Sequence, residues 1–158
     1  MQLVSPPPQL LRDYPVVISL PIQWGDQDAF GHINNVVYFR WYESARVAYL
    51  DRSGLDHLFT NYGLGPILAS IQCDYRKQLN FPDTVYIGAK VIHLGRTSLR
   101  MRHAIYSEHL QALAAEGESA VVVFNYQEQQ PTPIPPDVRA QIEALEGQPL
   151  GPPPKTEN

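Results

Sequence analysis

A chain of 158 residues, 44% of them hydrophobic and 18% charged, can close one domain around a core that needs no staples. Its 12 Lys+Arg against 16 Asp+Glu give a net charge of −4 without clustering, which provides no electrostatic footprint for nucleic acid or an anionic membrane surface. The single cysteine, Cys73, excludes an intrachain disulfide and any Cys-based metal site. No run approaches ~20 apolar residues, so no helix is expected to span a bilayer. Pro6-Pro7-Pro8 falls where a secretory leader would need an unbroken apolar stretch, and the expectation is a cytoplasmic protein.

Prolines mark the borders. Of 15 prolines, only Pro21, Pro66 and Pro82 lie between Val16 and Gln130, and packed elements exclude proline from their interiors. A core domain over residues 16–130 is therefore expected. Residues 131–158 form a Pro-rich C-terminal extension: a short helix over Pro135–Glu146, ended by Gly147, then a disordered tail over Gly151–Asn158.

Within the core, Val16–Leu20 reads as a strand and Trp24–Asn35 as a loop. Val36–Arg52 reads as a helix, apolar over most of its circumference and so expected to be buried. The period then changes to two. Ile67, Ala69, Ile71, Cys73, Tyr75, Lys77 and Leu79 alternate with Leu68, Ser70, Gln72, Asp74, Arg76 and Gln78. Val85–Val91 and Leu99–Ile105 alternate likewise, and Ser119–Tyr126 is nearly all apolar. The short connections Asn80–Asp83 and Gly95-Arg96 predict antiparallel neighbours. One long helix followed by long antiparallel strands is an α+β plan, a sheet wrapped around a central α-helix. The other sheet face is left to solvent or to a second subunit.

Polar residues of special type concentrate in Trp24–Asn35, directly ahead of the helix: Asp26, Asp28, His32, Asn34 and Asn35, with Gly25 and Gly31 to free the backbone. A helix start offers unpaired N–H groups and partial positive charge, which suit an oxyanion. A carboxylate beside such a start is a plausible acyl-transfer site. The same residues also admit a plain capped loop, or a metal held by Asp26, Asp28 and His32.

The stretch WGDQDAFGHINNVVYFRWYESAR, Trp24–Arg46, resembles the motif of the 4-hydroxybenzoyl-CoA thioesterase family of hotdog-fold acyl-CoA thioesterases. That pattern is Asp-x-Asp-x-x-Gly-His-(Val/Ile)-Asn-Asn-x-x-Tyr, followed by Glu-x-x-Arg. It is met at Asp26, Asp28, Gly31, His32, Ile33, Asn34, Asn35, Tyr38, Glu43 and Arg46. Gly95-Arg96-Thr97-Ser98-Leu99 is similar to the family's strand start, and the resemblance extends over Val16–Tyr126.

The resemblance implies a hotdog fold and hydrolysis of acyl-CoA thioesters with no cofactor and no metal. It also implies a homodimer, or a homotetramer as a dimer of dimers. Asp28 would be general base or nucleophile, and the backbone N–H of Asn35 the leading oxyanion donor. His32 aligns with a histidine that related enzymes use catalytically, and reads either as part of the chemistry or as loop architecture. Asn34 orients Asp28 or caps the helix; Asp26 holds the loop. Tyr38 and Glu43 are placed on the substrate side, although Arg40 and Arg46 flank Glu43 closely enough to pair with it instead. Arg96, Thr97 and Ser98 are the expected receivers of the coenzyme A phosphates, with Arg76, Lys77, Arg100 and Arg102 as further cations. Phe30, Phe59, Tyr62 and Leu64 are expected along the acyl pocket. Cys73 reads as a small core residue. Two other readings share the fold, an enoyl or hydroxyacyl thioester hydratase-dehydratase and a non-catalytic acyl-CoA-binding module.

Overall fold

The helix begins where an asparagine can hold it. A computed structural model describes residues 1–151, the side chain of residue 59 excepted; Phe59 and the tail beyond residue 151 thus lie outside the described residues. Helix α1 runs Asn35–Ser53, capped by Asn34, whose side chain accepts from the Val36 N–H, and ended by Gly54 at φ 79°. It buries Val37, Tyr38, Trp41, Tyr42, Ala45, Ala48 and Tyr49. It is not buried all round: Val36 and Val47 are 59% and 46% exposed, on the side that also carries exposed Arg40 and Glu43.

The strands are β1 (Gln2–Leu3), β2 (Val16–Pro21), β3 (Leu64–Tyr75), β4 (Thr84–Leu94), β5 (Ser98–Ser107), β6 (Ala112–Asn125) and β7 (Gln130–Pro131). They form one antiparallel sheet in the order β1-β2-β4-β5-β6-β3, with β7 on β6. The short helix α2 (Leu58–Tyr62) precedes β3, and α3 (Pro136–Glu146) follows β7. This is the expected hotdog arrangement, a curled sheet around α1.

Two expectations are corrected. The alternating run ends as a strand at Tyr75, and β3 pairs with β6, not with β4. The connection through residues 76–83 instead spans from β3 past β6 and β5 to β4. Leu79 is buried there, and its carbonyl accepts from the Ile33 N–H. That contact with the loop before α1 anchors the connection, as do the N–H groups of Arg76 and Lys77 on the Ala114 carbonyl of β6. β6 also begins well before Ser119, because Ala112, Ala114 and Gly117 carry little strand propensity of their own and are held by pairing with β3 and β5. Gly117 is where the Tyr42 ring and the Gln72 carbonyl come too close for any side chain.

The main core lies between α1 and the inner face of the sheet and includes Val138 and Ile142 of α3 and Leu150. On the outer face, Leu11 and Tyr14 cover Val17 and Ala104. The rest of that face carries ion pairs, Arg76–Glu116 and both Arg100 and Arg102 with Glu118. No helix among the described residues is long and apolar enough to cross a membrane.

Candidate active site

The Asp-rich loop folds as a tight hairpin on its own side chains. Asp26 Oδ2 accepts from the Gln23 N–H at 2.9 Å, and the Asp28 N–H donates to the His32 carbonyl at 2.7 Å. Asp28 Oδ1 accepts from the N–H groups of Phe30 (2.8 Å) and His32 (3.1 Å). Gly31, at φ 79°, permits the reversal. One carboxylate oxygen therefore shapes the loop, while Oδ2 has no partner among the described residues.

The hairpin delivers the chain to the helix start. The Asn34 N–H donates to the Asp26 carbonyl at 2.9 Å, the Val36 N–H to Asn34 Oδ1 at 3.1 Å and the Val37 N–H to the Asn34 carbonyl at 3.0 Å. Asn34 is thus the helix cap. The N–H of Asn35 is left with no acceptor among the described residues. It faces the consequence of every helix start, a donor that needs a partner from outside.

Asn35 lines an open cleft of about 410 Å³ with His32, Ile33, Tyr38, Tyr75, Arg76, Lys77 and Gln78. Tyr38 and Tyr75 meet edge to face, 4.8 Å between centroids. Burial is the main cause that pushes the Tyr38 hydroxyl up to about 12 and raises that of Tyr75, so both stay protonated as donors near neutrality. Behind them lies a buried polar group. The Tyr42 hydroxyl meets Cys73 Sγ at 3.2 Å, and the Tyr42 ring stacks on His103 at 4.9 Å. His103 Nε2 meets Ser119 Oγ at 2.9 Å. Burial, reinforced by Arg46, lowers the His103 pKa to about 3, and burial also raises that of the Cys73 thiol. Neither is primed for chemistry.

The fold thus gathers Asp28, His32, Asn34, Asn35 and Tyr38 at one end of α1. It does not bring Glu43 there. Glu43 lies two turns along the helix, roughly 12 Å from Asn35 by helical rise, on the exposed side. Nor does Glu43 pair with Arg40 or Arg46, since no ion pair among the described residues includes it. Arg46 is turned inward and is only 8% exposed.

Arg96, Thr97 and Ser98 sit at the far end of the sheet. Ser98 is level with Val122 and Ile67, whereas Tyr75 beside Asn35 is level with Ala115, a separation of roughly 25 Å along the strands. There the carbonyls of Arg96 and Thr97 accept from Ile134 and Val123. Within one chain the cations at the cleft are Arg76, bound to Glu116 at 2.8 Å, and Lys77.

The expected acyl-pocket residues are scattered. Phe30 is 83% exposed on the hairpin tip. Tyr62 bonds Asp137 at 3.0 Å, and Leu64 lines a separate cleft with Val47, Leu50 and Tyr126. Tyr75 was missed as a site residue. Its parity with Ile71 and Cys73 marks the inner face, but the end of α1 that it meets depends on strand order. Among the described residues, no three His, Cys, Asp or Glu side chains gather as a metal ion would require, so the Asp26/Asp28/His32 set is not assembled.

A hotdog sheet with this hairpin and open helix start defines a class, and comparison with known proteins agrees. The chain belongs to the thioesterase-like superfamily, whose sequence profile matches residues 22–142. Among solved structures it is similar to a thioesterase complexed with coenzyme A and Zn from Thermus thermophilus, at 33% identity and a TM-score of 0.77, over 87% of this chain and 98% of that one. A thioesterase-superfamily structure from Jannaschia sp. is 25% identical with a TM-score of 0.79, over 94% of this chain and 96% of that one. The Bacillus subtilis protein YsmA is 30% identical over 85 residues, a stretch that spans 54% of this chain and 56% of that protein.

Proposed function

We propose that this protein hydrolyses acyl-CoA thioesters to the free acid and coenzyme A, and that within its superfamily it stands beside the 4-hydroxybenzoyl-CoA thioesterases whose motif it resembles. The observation that carries the reading is the open N–H of Asn35 in a cleft beside the Asp28–His32 hairpin. The thioester carbonyl oxygen lies on that N–H, where the helix start also favours negative charge. Asp28, through its unengaged oxygen, takes a proton from water. The hydroxide so formed adds to the carbonyl carbon, and the oxyanion settles on Asn35. Collapse of the tetrahedral intermediate breaks the C–S bond, and the proton held by Asp28 returns to the leaving thiolate. Direct attack by Asp28, with a mixed anhydride then hydrolysed by water, uses the same groups. His32 borders the carbonyl, and Lys77 and Arg76 offer charge to the phosphates. The reaction needs no cofactor.

The reading includes a homodimer, or a tetramer of two such dimers, formed by antiparallel pairing of β3 with β3 of a second copy. Such pairing sets the end of one β3 opposite the start of the other. The Arg96–Ser98 turn of the second copy then comes toward the cleft, which supports its part in binding phosphate.

The test is thiol release from short, long and aromatic acyl-CoAs. Asp28→Asn, with oligomeric state unchanged, is expected to lower kcat by roughly 100-fold or more. Undiminished turnover by that variant would transfer the role to His32. A wild type inert on the whole panel would overturn hydrolysis in favour of the hydratase or the binding module.

A further inference from the structure

Tyr75 is the last residue of β3 and shares the inner side of that strand with Ile71 and Cys73. Its hydroxyl donates to the carbonyl of Asn35 at 3.0 Å. Its ring is set edge-on against Tyr38 at 4.8 Å and 79°, and Tyr38 is itself only 3% exposed. A half-exposed ring is thus fixed on one side by a buried one, with its polar end on the helix start.

Asn35 is the residue whose own N–H is open to the cleft. The first turn of a helix lacks the i−4 bonds that hold later turns and is the turn that frays. The Asn34 cap engages the N–H of Val36, and the Asn34 carbonyl that of Val37. The first bond holds the peptide group that carries the Asn35 carbonyl, and the second holds the one that carries the Asn35 N–H. Among side chains of the described residues, only Tyr75 bonds the main chain of Asn35. Holding its carbonyl ties the Asn35–Val36 peptide group to the end of β3 from outside the helix, and so steadies the first turn that presents the Asn35 N–H.

We infer that Tyr75 is a positioning residue for thioester hydrolysis, aiming the Asn35 N–H at the oxyanion by gripping the Asn35 carbonyl. The inference rests on the hydrolase reading above. It makes the end of an edge strand part of the active site, a role separate from lining the cleft. A wall residue contributes to substrate binding in ground and transition state alike, whereas an aimed donor contributes most when charge develops on the oxygen.

The experiment compares Tyr75→Phe with Tyr86→Phe. Both keep the ring and lose one hydroxyl; that of Tyr86, on β4, bonds only Glu108 among the described residues, at 3.2 Å. Tyr75→Phe is expected to lower kcat roughly tenfold with KM within about twofold, since small misplacements at a reacting centre cost up to ~100-fold. Tyr86→Phe should leave both constants unchanged. The backbone order parameter of Asn35, by NMR relaxation, should fall in Tyr75→Phe from about 0.85 toward 0.6. An unchanged kcat, or a rise in KM alone, would overturn the inference. Should the wild type turn over no thioester, the hydrolase reading fails, and an unmoved order parameter would separately show that Tyr75 does not hold Asn35.

Discussion

The two rims of the sheet are finished differently. On one side β1 pairs with β2, and past the end of β2 the exposed flank of β4 is taken over by the C-terminal segment. Glu146 Oε1 accepts from the Val91 N–H at 2.8 Å and from the Tyr49 hydroxyl at 2.6 Å. The Leu94 N–H donates to the Leu150 carbonyl at 3.0 Å. On the other side β3, 12 residues long, ends the strand order with no strand beyond it among the described residues, and Ile67 and Leu68 are 36% and 42% exposed. Beneath the closed rim the buried Tyr49 hydroxyl is satisfied by Glu146. Near the open one lie Tyr42, Cys73, His103, Ser119 and Arg46, with Arg46 Nη1 and His103 Nδ1 buried and without hydrogen-bond partners among the described residues. The difference teaches that one rim ends the fold, whereas the other presents a long edge of the kind that invites another strand, as the proposed dimer requires.

Three changes would break or sharpen this contrast. The largest effect is expected from a charge on the open rim. If β3 pairs with a second copy as proposed, Leu68→Lys should give a monomer where the wild type sediments as a dimer, and lower turnover roughly 100-fold or more. A dimer that survives would refute β3 pairing. Next is the acid response of the polar group. The His103 pKa is lowered from 6.5 to about 3, so between those values the unfolded chain binds a proton that the native chain does not. Its contribution is full above pH 6.5 and is lost as pH falls toward 3, on the order of a few kcal/mol. Urea midpoints measured against pH should show a flatter acid limb in His103→Gln, and an unchanged limb would contradict the assignment. The smallest effect belongs to the closed rim. Glu146→Ala should cost about 1–3 kcal/mol by stranding two donors. Burial raises the Glu146 pKa, so its ionised form is disfavoured in the fold. Glu146→Gln, which keeps an acceptor without charge, should cost less than alanine, and equal urea midpoints for the two would deny the capping role.

Much of this was legible in the residues. Asn34 and Gly54 bracket α1, the period-two runs mark the strands, and Asp28 through Tyr38 are contiguous enough to fold into one place. What escaped depends on strand order. The short spacing between β3 and β4 implies a hairpin, yet β3 pairs with β6, and Leu79 between them is buried with its carbonyl on the Ile33 N–H instead of continuing an alternating run. The distance between Arg96 and Asn35 is likewise set by register. So is the meeting of Tyr75 with Asn35, which sequence parity assigns to a face but not to an end. Arg46 looked like a partner for Glu43 at i+3, and only packing reveals that it turns inward.

The carboxylate of Asp28 has two employments at once. Through Oδ1 it is the pin of the hairpin, bound to the N–H groups of Phe30 and His32; in the mechanism proposed above, its other oxygen takes the proton of water. A lineage giving up the chemistry could not discard the residue freely, because most replacements would undo the turn that leads into α1. Asparagine is the exit that keeps an acceptor at the same reach, so a non-hydrolytic descendant of this chain should still carry the shape of the site it no longer uses.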